Sequence, residues 1–344
     1  MRLVLIGAFG GLPDEGMRKL CAQFESAARE QHEVFAVQTS DFCLARAWTG
    51  LRRFRPSCLH YLTGPTLFSL LALKFHRLTL PGRPLTVATG LRPYLGGVGR
   101  RLLPWMAPDL YLAQSRRWAN LFAAAGSRVI EFPNAVDTHR FAPVPPARKR
   151  ALKLKWGLPL DKPVALHVGH ARQNRNLDGL TEVQQSNRWQ VWIVVSGSGP
   201  ETSPVCERLA QAGCRLHTQF VAEIEQVYQA ADAYVFTVDA LPENWYPRSY
   251  YEVGAIDLPL SVLEAMACGL PVVSTRFDTI DYFCGEVPGL RYFDGTGPDC
   301  LRQLEAARRL PVATSQAPQR FDLGSWQQRL AAIYRQVEAG GNSA

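Results

Sequence analysis

The chain has 344 residues, 47% of them hydrophobic and 20% charged. That composition excludes a disordered or fibrous protein, and the length suggests two domains. The formal net charge of +8 is uneven: residues 1–150 carry 21 Lys+Arg against 9 Asp+Glu, and the remainder 17 against 21. The eight cysteines form no C-x-x-C pair, which argues against a zinc cage or disulfide framework and for reduced thiols in the cytosol.

The chain opens on "MRLVLIGAFGG", whose apolar run is too short for a signal-peptide core and reads as a first buried strand. Further short apolar runs follow at 33–38, 58–63, 85–89, 110–114 and 128–132, separated by longer helix-like spacers. Runs this short, continuous and β-branched predict parallel strands covered on both faces. Between Asp41 and Asp109 there is no acidic residue, while Arg46, Arg52, Arg53, Arg55, Lys74, Arg77, Arg83, Arg92, Arg100 and Arg101 all fall there. Such a block attracts polyanions. The interleaved apolar residues of "LFSLLALKFHRL" and "GRRLLPWM" favour an anionic membrane surface, and a plain solvated basic face is the other reading. Nucleic acid is not expected, because no recognition-helix or RNP-like pattern accompanies the charge. The stretch Pro65 to Phe75 is far shorter than the roughly 20 residues a membrane span needs.

Four prolines and a basic cluster between Phe132 and Lys153 mark the expected join. A second set of strand-like runs then occupies 163–169, 190–197, 214–220, 233–238, 270–275 and 290–293. Two consecutive sets predict an α/β protein of two doubly wound, Rossmann-like domains, at 1–145 and 146–324. The final segment, 325–344, spaces Trp326, Leu330, Ile333, Tyr334 and Val337 as one face of a helix.

In open parallel sheets, ligands bind beyond the carboxyl ends of the strands. Three segments of the second half stand there. In "HVGHARQNRNLDGL", Gly169 permits a tight turn, and His170, Arg172 and Arg175 follow just before a helix, where cations suit a diphosphate. In "VVSGSGPE", Ser198 and Gly199 belong to a strand followed by G-x-G, which admits close backbone approach to a ligand. In "PLSVLEAMACGLPVVST", Pro259 stands at a helix start, so Leu260 and Ser261 would offer first-turn amides to an anion. Glu264 lies one turn further among apolar neighbours, where a carboxylate can accept from vicinal hydroxyls. There is no D-x-D pair and no His/Cys cluster, so neither a metal nor any other cofactor is expected.

These residues resemble the retaining glycosyltransferases of the GT-B fold, in the glycosyltransferase-1 / family 4 group. The resemblance is carried by "PLSVLEAMACGLPVVST", "FPNAVDTHRFAP", "HVGHARQNRNLDGL" and "IEQVYQAADAYVFTVD", and more weakly by "GAFGGLPDEGMRKL" at the start. It implies two Rossmann-like domains facing a central cleft, with the terminal helix crossing back to the first. It implies a nucleotide-sugar donor (a UDP- or GDP-sugar) held by the second domain, with a glycan or lipid-linked acceptor in the first. Glu264 would hold the ribose. The amides of Leu260 and Ser261, with Gly169, His170, Ser198 and Gly199, would line the donor site, and Arg172 and Arg175 would stabilise the departing diphosphate. Gly10, Gly11 and Glu15 would belong to the acceptor side. The family's signature has a second glutamate eight positions before the first, and here that position is Ile256. Asp257 is the expected substitute. A transferase acting peripherally at the cytoplasmic face of the plasma membrane is the resulting expectation, and a silent nucleotide-sugar-binding relative is the alternative.

Overall fold

The computed structural model describes residues 1–10, 16–42, 45–195, 203–238, 257–276, 278–285, 287–309 and 321–341. They form two compact units. The first comprises Met1–Asn134 with Asp257, Leu258 and the terminal helix from Gly324; the second begins at Ala135, resumes at Pro259 and ends at Leu323.

The first unit is built on β1 (Arg2–Gly7), β2 (Glu33–Gln38), β3 (Cys58–Tyr61), β4 (Leu85–Thr89), β5 (Leu110–Ala113) and β6 (Arg128–Glu131). They pair in the order β2-β1-β3-β4-β5-β6, every pair parallel, with Leu5 opposite Ala36 on one side and His60 on the other. The crossovers are α1 (Gly16–Arg29), α2 (Ala45–Phe54), α3 (Leu67–Thr79), α4 (Gly97–Met106) and α5 (Arg116–Ala124). The core joins Val4, Ile6, Leu59 and Ala88 of the sheet to Trp118 and Phe122 of α5. Each such side chain removed from water contributes about 1.5–3 kcal/mol, which is why the short runs commit to strands.

The second unit carries α6 (Pro146–Lys155), β7 (Val164–Gly169), α7 (Gly179–Gln185), β8 (Gln190–Val195), α8 (Pro204–Gln211) and β9 (Arg215–His217). Then come α9 (Ile224–Ala230), β10 (Ala233–Phe236), α10 (Leu260–Ala267), β11 (Val272–Thr275), α11 (Asp278–Cys284), β12 (Leu290–Phe293) and α12 (Gly297–Ala307). The sheet order is β12-β11-β10-β7-β8-β9, again all parallel. Its core packs Val191, Ile193, Val235 and Val273 against Leu180 and Leu304.

All twelve runs expected as strands form strands, several ending sooner at the carboxyl end because the chain turns away into a loop there. The basic cluster expected within the join is instead a helix of the second unit. α6 starts with Pro at its first turn, and its Lys149 and Lys153 pair with Asp232 at 2.8 and 2.6 Å. The terminal helix α13 (Leu323–Gly341) buries the stripe read from its spacing, Trp326, Leu330, Ile333, Tyr334 and Val337. Trp326 packs on Phe24 and Phe132, and His60 Nδ1 lies 2.8 Å from the Tyr334 hydroxyl, all within the first unit. No described helix is long and apolar enough to cross a membrane.

Candidate functional site

In the second sheet the strand order reverses between β7 and β10, and in open parallel sheets the carboxyl ends at such a reversal frame a ligand crevice. Their ladder covers only Ala165–Ala233 and Leu166–Tyr234. Beyond it side chains bridge the two strands. His167 Nδ1 lies 2.9 Å from the carbonyl oxygen of Val235, and the Tyr234 hydroxyl donates to that of Val168 at 3.2 Å.

Gly169 follows His167 so closely that a Cβ there would stand 3.2 Å from His167 Nε2. The chain then passes half-buried His170 and exposed Arg172 into a single 3-10 turn, Gln173–Arg175. Asn176 ends the turn in the left-handed region at φ 48°, a conformation asparagine tolerates better than most residues. The Thr237 hydroxyl, just past β10, donates to the carbonyl oxygen of Arg175 and pins the loop to the crevice.

α10 begins directly after Pro259, and no side chain caps its first turn, so its amino end presents Leu260 and Ser261. Ser261 is within hydrogen-bonding reach of the Tyr234 oxygen. Glu264 is buried, and its Oε2 accepts from the Tyr228 hydroxyl at 2.8 Å. Burial pushes the Tyr234 phenol up. The Ser261 hydrogen bond opposes that rise, the charge of Glu264 adds to it, and Arg175 opposes it again. One phenol therefore senses both the cation of the loop and the acid of the helix. Burial, then the charge of Glu264, holds the Tyr228 phenol well up, so its proton stays on oxygen and is donated to the carboxylate.

His167 is buried, and its pKa falls to about 4, chiefly through desolvation, with the hydrogen bond to the Val235 carbonyl opposing the fall and the nearby Arg175 and His170 adding to it. It is neutral near pH 7, with its proton on Nδ1 toward the Val235 carbonyl. Its Nε2 faces Gly169 and has no hydrogen-bond partner among the described residues.

Gly169, His170, Arg172, Arg175, Leu260, Ser261 and Glu264 thus gather around the β7/β10 crevice. The result is a cationic loop, a helix amino end and, one turn further along, an oriented carboxylate. Such a set can grip a diphosphate and accept from hydroxyls beside it. Tyr228, Tyr234, His167 and Thr237 were missed as site residues in the sequence. The available signal was a tyrosine rather than phenylalanine inside a buried segment, since a buried phenol needs a partner.

Ser198, Gly199, Gly11, Glu15, Glu252 and Ile256 lie outside the described residues. Gly10 is exposed at the carboxyl end of β1, with φ 83°, beside the Gln38 side chain that accepts from the Phe9 amide. Asp257 belongs to the first unit. It is 8% exposed, its amide donates to the Leu91 carbonyl, and its Oδ2 accepts from the Ser115 hydroxyl at 2.9 Å. The side-chain amide of Asn134 fixes the next residue by donating to the Leu258 carbonyl. In this unit Asp257 ties together the loops after β4 and β5.

Residues 148–284, which include the whole crevice, match the family described as glycosyl transferases group 1. Through this segment the chain is similar to that family. Two curated relatives are similar over part of their length. One is the GDP-mannose-dependent alpha-(1-6)-phosphatidylinositol monomannoside mannosyltransferase of Mycolicibacterium smegmatis, 28% identical over 64% of this chain and 59% of that protein. The other is the D-inositol 3-phosphate glycosyltransferase of Xylanimonas cellulosilytica, 30% identical over 49% of this chain and 40% of that protein. The match therefore spans well under two thirds of either relative. Among solved structures, Anabaena HepE in complex with UDP and glucose superposes with a TM-score of 0.73 at 15% identity, covering 97% of this chain and 99% of that one. Sucrose-phosphate synthase from Thermosynechococcus elongatus gives 0.72 at 15% identity over 98% and 99%. The fold is that of the GT-B glycosyltransferases, two Rossmann-like domains.

Proposed function

We propose that this chain is a group 1 glycosyltransferase acting as a retaining hexosyltransferase. It moves a sugar from a UDP- or GDP-sugar to a cell-surface or lipid-linked glycan acceptor at the cytoplasmic face of the membrane. The observation that carries the reading is the convergence of the Gly169–Arg175 loop with the amino end of α10 and Glu264 at one crevice, where Thr237 pins the Arg175 carbonyl, Tyr234 the Val168 carbonyl and Tyr228 the Glu264 carboxylate. Arg172, Arg175 and the first-turn amides of α10 neutralise the charge that grows on the diphosphate as the glycosidic bond breaks. Glu264, oriented by Tyr228, accepts from the ribose hydroxyls. Two arginines and a helix dipole supply the positive charge that a metal would bring, so transfer is metal-independent. The relative from Mycolicibacterium smegmatis, a GDP-mannose-dependent phosphatidylinositol monomannoside mannosyltransferase, supports a nucleotide sugar and a lipid-linked acceptor.

The test is calorimetric titration of UDP, GDP, ADP and dTDP, with and without Mg²⁺, into wild type and Glu264→Ala. The expected result is metal-independent binding of one uridine or guanosine diphosphate, lost in the variant. Equal affinity in both proteins would remove the donor assignment.

A second reading, a silent nucleotide-sugar-binding relative, draws on Ile256 and on the engagement of Asp257 by Ser115. Nucleotide-sugar binding without transfer to any acceptor, or slow loss of the sugar to water, would favour it.

A further inference from the structure

Two helices of the first unit are apolar on both sides. In α3, Leu70, Leu73 and His76 are buried, yet Phe68, Phe75 and Leu78 point to solvent, Phe68 at 77% exposure and Phe75 at 55%. In α4, Leu103 and Met106 are buried while Val98, Leu102 and Trp105 are exposed, Trp105 at 59%. Positions 68, 75 and 78, like 98, 102 and 105, recur at helical spacing, so each set is one continuous outer stripe.

The helices are neighbours: Leu67 Cβ lies 3.6 Å from where a Cβ on Gly99 would stand. Lys74 crosses between the stripes, with Nζ 5.6 Å from the centre of the Trp105 ring. A helix that is apolar on its outer as well as its inner side belongs in a core or at a membrane. The charge of the surrounding sequence selects the second. From residue 42 to 108 there is no carboxylate, and Arg101 is exposed on the same turn of α4 as Leu102. Aromatic and aliphatic side chains beside Lys74 and Arg101, on two helices that carry no acid themselves, complement anionic headgroups over an acyl layer. Trp is also a residue that settles at that boundary.

We infer that the outer face of α3 and α4 seats on an anionic lipid bilayer. Phe68, Phe75 and Trp105 enter the acyl boundary, and Lys74 and Arg101 sit at the headgroups. The inference specifies the surface behind the membrane-facing part of the proposed function, and it does not depend on the donor chemistry.

The experiment is co-sedimentation of the full chain with vesicles of phosphatidylcholine, alone or doped with phosphatidylglycerol. Wild type is compared with Phe68→Ser/Phe75→Ser/Trp105→Ser and with Lys74→Glu/Arg101→Glu. Melting temperature and nucleotide titration are followed in parallel. Wild type is expected to partition onto the phosphatidylglycerol vesicles. The triple variant should lose about tenfold or more of that partition, because each ring removes apolar area from the acyl layer. The charge-reversed variant should lose its preference for phosphatidylglycerol, and all three proteins should melt alike. Undiminished sedimentation of the triple variant would overturn the assignment, as would wild-type binding that ignores phosphatidylglycerol or is absent. A wild-type dimer that the triple substitution converts to monomer, with no vesicle binding, would make the face an interface between copies and overturn it too. Failure of wild type to bind any nucleotide would sink the donor reading alone, since sedimentation decides the surface by itself.

Discussion

Glu264 is a carboxylate in the middle of a helix whose other described side chains are almost all buried, and the acid is held rather than merely tolerated there. Its Oε2 takes a proton-bearing phenol at 2.8 Å. A hydrogen bond to a charged group contributes about 1.5–3 kcal/mol. Tyr228→Phe is therefore expected to lower stability by about 2 kcal/mol in urea unfolding and to weaken nucleotide binding severalfold by freeing the carboxylate to turn. Unchanged affinity would mean that Glu264 is oriented by other groups. Asp257→Asn separates two roles. Its bond from Ser115 and its burial predict a drop in melting temperature, whereas a contact to the donor sugar adds a loss of turnover beyond what the melting shift explains. His167 sets a pH dependence. Its imidazole takes a proton near 6.5 when unfolded and only near 4 when folded. The unfolded chain thus binds more protons in that interval, so stability is full above 6.5 and falls as pH drops toward 4, by about 3 kcal/mol at most. Thermal melts across the interval should show this slope, and His167→Gln should reduce it, leaving the like contribution of buried His60, whose pKa desolvation lowers to about 3. At this scale Gly169, Arg172 and Arg175 were legible because they stand at or just past the end of a strand, and Glu264 because it is a lone acid among apolar helix neighbours. The sequence hid Tyr228, Tyr234 and Thr237, whose roles arise only when β7, β10 and α10 meet.

α10 and β11 turn on one glycine. Gly269 has φ 76°, its amide bonds to Met266 and that of Leu270 to Ala265, the paired closure that ends a helix with a left-handed residue. Gly269→Ala should cost about 1 kcal/mol, read as a shift in the urea midpoint, because an alanine Cβ is strained in that conformation. A neutral result would mean that the turn relaxes. Elements were the most legible level, since buried β-branched runs leave few alternatives to a parallel strand. Two things escaped. α6 read as linker because its basic residues broke the pattern, and its order comes from Asp232, far along the chain. In α3 and α4 the apolar residues were visible, but periodicity cannot say which side of an all-round apolar helix meets solvent. Only the burial of Leu73 and Leu103 beside the exposure of Phe75 and Leu102 settles that.

For the molecule as a whole, the two cores share no residue, and the two proposed binding duties fall in different units. Arg175, Ser261 and Glu264, proposed for the donor, lie in the second, and Phe68, Phe75 and Trp105, proposed for the lipid, in the first. The charge split of the sequence runs the same way, with the acid-free interval confined to the first unit. Substitutions that touch no common partner act additively within about 0.5 kcal/mol. Glu264→Ala should therefore abolish nucleotide binding and leave vesicle partition unchanged, and the triple surface variant should do the reverse. Nucleotide at about 100 times its dissociation constant should stabilise wild type and the surface variant alike, by about 2.7 kcal/mol. Transfer then distinguishes the two losses. With a membrane-embedded acceptor both variants should be slow, since one lacks the donor and the other its place at the surface. With a water-soluble glycan acceptor the surface variant should regain the wild-type rate, whereas Glu264→Ala should not. A surface variant that stays slow on the soluble acceptor would show that α3 and α4 serve the chemistry itself, and the division of labour between the units would have to be abandoned.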